Sequence, residues 1–136
     1  MGLDMGGASL VSLRSPLGQV TGLGSAKDGT GHWWSQRVTA LALVPLTLWF
    51  LFSLLTLPSL EYVTVRTWLS FPMSAFLATL LVAVLTYHSY LGTNVVIEDY
   101  VHSHGTKLFC LLLLQFIYVL VGGASIFAIL RVAFGS

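Results

Sequence analysis

Three long apolar runs divide the sequence, at about residues 38–57, 68–91 and 108–130. Each is close to the ~20 residues a helix needs to cross the hydrocarbon core of a bilayer. The first run carries no charge, and Pro45 within it is expected to kink the helix locally. The second contains a single ionisable side chain, His88, near its end. Pro72 falls in the first turn of that run, where a missing amide donor does little harm. The third is uncharged, with Gln115 its most polar side chain. The pattern predicts an all-α fold, a three-transmembrane-helix bundle over residues 32–136. Residues 1–31 hold eight of the 13 glycines and no apolar stretch. They read as a flexible Gly-rich N-terminal tail rather than a cleaved signal.

Composition strengthens this reading. Only 8% of the 136 residues are charged and 56% are hydrophobic, whereas a soluble domain carries about 25% charged residues. Membrane lipid is therefore the expected surroundings. The six basic residues are scattered, which speaks against nucleic acid as a partner. A lone cysteine, Cys110, excludes an internal disulfide and a cysteine-based zinc site. Orientation follows from the lysines and arginines near the span ends. Arg14, Lys27, Arg37 and Lys107 fall on one side, Arg66 and Arg131 on the other. The N-terminus and the loop after Asp99 are expected to be cytoplasmic and the C-terminus periplasmic. Trp33 and Trp34 fit an aromatic belt at the cytoplasmic interface. Gly92 and the stretch Gly122-Gly123-Ala124-Ser125 allow helices to approach closely.

The candidate chemistry lies at one end of the second run. An ionisable residue within a span is costly and so marks a functional site by default. His88 can pack as an interfacial histidine, or its imidazole can be an axial ligand to haem iron. With no second intramembrane histidine, the other ligand of a bis-histidine haem has to come from another chain. Gly92, one turn on, leaves room for a flat macrocycle. Asp99 and Tyr100 can be an ordinary polar helix end. Alternatively, the tyrosine hydroxyl bonds a quinone carbonyl while the carboxylate relays protons. If the helix continues that far, Asp99 lies about 16 Å along the axis from His88. Arg37, at the start of the first run, snorkels to the interface or forks onto a carboxylate such as a haem propionate. His32 is a weaker candidate beside it. The stretch 24–30 lacks the lysine and hydroxyl of a phosphate loop. His102 and His104 lack further ligands and read as a polar loop.

Taken together, these residues resemble the family of hydrophobic membrane anchor subunits of succinate dehydrogenase (complex II), in its alphaproteobacterial style. The similarity rests on Arg37-Val38-Thr39-Ala40, on His88 with Gly92 four residues later, and on Asp99-Tyr100. The lead-in 24–29 followed by Trp33-Trp34 adds to it. The likeness spans about residues 22–136. His32 stands one residue away from the family's upstream histidine. The signature of the companion anchor of the same complex, Ser-x-x-His-Arg-x-Thr-Gly, is absent.

The resemblance implies a membrane anchor in the bacterial inner membrane that contributes to quinone reduction only within the complex. Its partners would be the flavoprotein, the iron-sulfur subunit and the cytochrome b556 anchor. It implies that His88 ligates a haem b shared with that second anchor and that Arg37 approaches the propionates. Tyr100 and Asp99 would line the ubiquinone pocket. Two readings compete: a structural anchor or assembly protein without a cofactor, and the equivalent anchor of a fumarate reductase.

Overall fold

The computed structural model describes residues 24–135, which form four helices and no strand. Helix α1 spans Gly24–Thr56 and α2 Tyr62–Ser70; α3 spans Pro72–Tyr100 and α4 His104–Phe134. Three segments are long and apolar enough to cross a membrane: Thr30–Thr56, Pro72–Tyr100 and His104–Phe134. The all-α, three-span expectation holds. Its boundaries shift. Residues 24–31, assigned to the tail from sequence, are the opening turns of α1, and residues 1–23 lie outside the described residues.

The largest shift concerns the second span, expected from Trp68. The helix containing Trp68 stops at Ser70, and the span starts afresh at Pro72. Phe71 between them has φ −70° and ψ 124°. A proline ring crowds the preceding residue out of the α region, so Phe71 is extended and the two helices separate. Pro72 then opens α3 at a position that needs no amide donor. At the other end, α3 continues past Leu91 to Tyr100. Its 29 residues extend about 43 Å, well beyond a hydrocarbon core of about 30 Å. The helix is thus longer than the core it has to cross. α1 runs through Pro45 without a break, although the carbonyl one turn earlier loses its amide partner there.

The chain divides into two compact units, one up to Trp34 and one from Ser35 onward. In the first, the rings of Trp33 and Trp34 lie 6.3 Å apart. In the second, α3 and α4 pack along their length, with α2 against both. The best-buried cluster joins Leu69 of α2, Ala75 and Ala78 of α3 and Ala133 of α4. Trp49, Val65, Trp68, Ile129 and Val132 close over it, and Trp49 stacks on Trp68 at 5.7 Å. Alanines at this crossing let the backbones come close, which is how helices attract in lipid, where apolar burial drives little. Many of the other large apolar side chains are exposed, as suits surfaces that meet acyl chains or another subunit.

One glycine is fixed by this packing. A Cβ on Gly122 would lie 2.8 Å from Thr86 Cγ2. Thr86 has little freedom to yield, because its hydroxyl donates to the Val82 carbonyl at 2.7 Å. Gly123 meets nothing within 4 Å. Gly122→Ala is accordingly expected to destabilise the α3–α4 pair by about 1–3 kcal/mol, the usual cost of overpacking. Gly123→Ala should be neutral or slightly stabilising through helix propensity. Thermal unfolding of the detergent-solubilised chain checks both; equal midpoints for the two variants would contradict the assigned crossing.

Candidate functional site

His88 stands on α3 opposite Thr39 of α1, half-buried, with Nδ1 2.9 Å from the threonine Oγ1. The proton count at this contact decides the imidazole tautomer. Thr39 has one hydroxyl proton, directed at the Ser35 carbonyl at 2.7 Å, with the Gln36 carbonyl at 3.1 Å. Such bonds to the preceding turn are the habit of threonine within a helix. The oxygen lone pairs then face His88, so Nδ1 carries the hydrogen and donates it. In a neutral imidazole that leaves Nε2 with its lone pair, and Nε2 makes no hydrogen bond among the described residues. A ring nitrogen held by a hydrogen bond while the other stays basic is the arrangement that orients a metal-bound histidine.

Around this pair the two helices meet through small and polar groups. Gly92, one turn beyond His88, faces Gln36; a Cβ there would lie 3.7 Å from the amide Nε2, an ordinary contact. Glycine is thus not required at 92 by the packing of this chain. Two amide oxygens nearby in sequence, Gln36 Oε1 and Asn94 Oδ1, are enclosed without a hydrogen-bond partner. Each is costly in that state. Sequence reasoning missed both; Asn94, six residues after His88, was the available signal, whereas Gln36 is brought near α3 only by the fold.

Asp99 and Tyr100 form the last turn of α3 and are exposed, Tyr100 at 79%. Helix physics gives no reason for acids here. Glu98 and Asp99 stand at the negative end of the helix dipole, with no basic residue in the same turn. Relief comes from the following segment: Lys107 Nζ donates to the Glu98 carbonyl at 3.1 Å, and His102 Nδ1 lies 3.1 Å from the Tyr100 carbonyl. His102 is thereby engaged with the helix end. Among the described residues no three histidine, cysteine or acidic side chains gather to hold a metal ion.

Two further candidates lie on α1. Arg37 is exposed on α1, two residues from Thr39 and so about 200° around the axis from it. His32 is half-buried with Nε2 enclosed and without a hydrogen-bond partner. A groove of about 340 Å³ between α3 and α4 is lined by Tyr87, Tyr90, Gln115 and Tyr118 among others, and not by His88, Asp99 or Tyr100. Tyr118 is spoken for, since its hydroxyl lies 2.9 Å from Thr93 Oγ1, whose own proton goes to the Ser89 carbonyl. The candidate residues thus lie on α3 and α1.

Comparison with known proteins bears on this open-sided site. Residues 12–122 match the family described as succinate dehydrogenase/fumarate reductase transmembrane subunit. A succinate dehydrogenase hydrophobic membrane anchor subunit from Rickettsia bellii is 42% identical over 91 residues, 65% of this chain and 70% of the relative. The protein of the same name from Rickettsia conorii is 33% identical over 93 residues, 68% of this chain and 74% of that one. That of Paracoccus denitrificans is 29% identical over 122 residues, covering 90% and 94%.

Proposed function

The chain belongs to the hydrophobic membrane anchor subunits of succinate dehydrogenase, and from that membership we propose that it docks the succinate-oxidising subunits and completes a haem and a quinone site. It is a multi-pass membrane protein. In this reading the flavoprotein and iron-sulfur subunit sit on the cytoplasmic face of the bacterial inner membrane. A second anchor, the cytochrome b556 subunit, supplies the missing walls. The Asp99–Tyr100 end of α3 is cytoplasmic, with Arg37 and Lys107 on the same side.

The observation that carries the haem assignment is the Thr39–His88 hydrogen bond. It presents one imidazole lone pair within a span, as an axial haem ligand requires. One ligand from this chain matches a haem b shared between two anchors. Arg37 is long enough to reach propionates at the interface, although it leaves α1 from another face. When bound, the haem supplies a one-electron donor and acceptor between the anchors. The chain's own residues then act at the quinone. Ubiquinone accepts two electrons from the iron-sulfur partner and two protons, giving the quinol. The Tyr100 hydroxyl donates a hydrogen bond to one quinone carbonyl and polarises it. Asp99, exposed beside it, passes protons from the cytoplasmic water.

The test is optical. The purified complex is expected to show a b-type reduced-minus-oxidised spectrum, and Thr39→Val should alter it while leaving the polypeptides assembled. Valine keeps the shape of threonine but removes the acceptor for Nδ1–H, and loss of such an outer contact weakens metal retention about 10–100-fold. A wild-type complex without a b-type signal would refute the haem role. A Thr39→Val spectrum and haem content identical to wild type would refute the assigned tautomer.

A further inference from the structure

The other end of the bundle gathers the remaining positive charge. Arg66 lies in α2, between the first two spans, and Arg131 in the last turn of α4. By connectivity, the end of α1, all of α2, the start of α3 and the end of α4 meet one leaflet. There a groove of about 400 Å³ is lined by Tyr62, Arg66, Ala128, Arg131, Val132 and Gly135. Arg66 is held across it, its Nη2 donating to the Gly135 carbonyl at 2.9 Å. A guanidinium has five N–H donors, so Arg66 keeps most of its fork. Arg131 makes no side-chain hydrogen bond among the described residues, and neither arginine pairs there with a carboxylate. Two guanidinium groups share one groove at the lipid–water boundary, with Ala128 and Val132 beside them.

We propose that this groove binds a phosphate group, and that the phosphate is the headgroup diester of an anionic phospholipid. Arginine matches phosphate with paired, charge-assisted hydrogen bonds. At this depth phospholipid headgroups are the most abundant anions, and the apolar part of the lining suits the glycerol and upper acyl chain. The site does not depend on the haem or quinone assignment, and it lies at the opposite end of α3 and α4 from His88 and Tyr100. Basic residues on this side are few, yet both fall in this one groove. Snorkelling alone accounts for each arginine separately but not for their convergence.

The experiment uses the whole complex, stripped of bound lipid in detergent and reconstituted with phosphatidylcholine and phosphatidylglycerol together. Lipid retained after gentle re-extraction is identified by native mass spectrometry. The wild type is expected to retain phosphatidylglycerol in preference, and Arg66→Gln with Arg131→Gln should reduce that preference about tenfold or more. Arg131→Gln alone breaks no side-chain hydrogen bond among the described residues, so its several-fold loss of preference separates binding from misfolding. Succinate oxidation should be unchanged in both. Equal retention in wild type and variants overturns the site. If inorganic phosphate alone displaces the lipid and protects the complex from heat as well, the groove takes a free anion and the lipid assignment falls. Variants that lose a partner subunit while still preferring phosphatidylglycerol would show that the arginines face protein, which also overturns it.

Discussion

His88→Ala is expected to remove the b-type haem signal from the purified complex, with haem content falling at least about 100-fold. The figure is a lower bound, because altering only the outer contacts of a metal ligand already costs about 10–100-fold. The change also leaves Thr39 Oγ1 facing an empty space. That hydroxyl keeps its bond to the Ser35 carbonyl, so no polar group is stranded and α1 need not move. Succinate oxidation with an artificial dye acceptor should therefore survive, since it needs none of the residues in this span. A pyridine haemochrome assay beside a dye-coupled rate measures the two quantities on one sample. Persistence of wild-type haem content in His88→Ala would sink the ligand role.

Tyr100→Phe should slow quinone reduction by about 10- to 100-fold while dye-coupled succinate oxidation holds. Removing a single donor from a developing oxyanion costs about 100- to 1,000-fold where the donor is fully preorganised. The smaller effect is expected here because Tyr100 ends an exposed turn and is not held in one geometry by this chain. The same exposure makes the mutation safe for folding: a surface substitution of this kind changes stability by about 0.5 kcal/mol or less. Parallel loss of both rates would indicate failed assembly and not a quinone contact. Asp99→Asn on the same preparations discriminates further, because it should slow proton delivery while leaving quinone affinity in place.

What is legible from sequence is what lipid demands. Three runs without acidic or basic side chains other than one imidazole read as spans, and His88 stands out as the sole ionisable histidine within them. Helix ends are harder because hydropathy measures contact with lipid, not the reach of backbone hydrogen bonds. Thr93, Asn94, Glu98 and Asp99 end the apolar run at 91, yet α3 continues through them to Tyr100. The break at Phe71 is readable in principle, since a proline restrains its predecessor. Treating Pro72 as harmless inside a span from Trp68 overlooks that restraint. Thr39 stands out in the sequence only as part of a motif. Its role depends on which faces of α1 and α3 meet, and helices apolar on every side carry no periodic signal of that pairing. The two arginines of α2 and α4 inform orientation, but only the folded chain brings them to one groove.

The unbroken length of α3 has a consequence for how His88 and the Asp99–Tyr100 pair are related. With no proline after Pro72 and no break before Val101, the helix acts as a ruler whose divisions are both distance and angle. Asp99 is eleven residues from His88, about three turns with about 20° to spare, so the acid is nearly in line with the imidazole. Tyr100 points about 120° away from that line. One helix thus sets two directions, the carboxylate along the histidine's own face and the phenol toward a neighbouring one. Gaining or losing a single residue between Gly92 and Glu98 would swing the acid about 100° around the helix while moving it only about 1.5 Å.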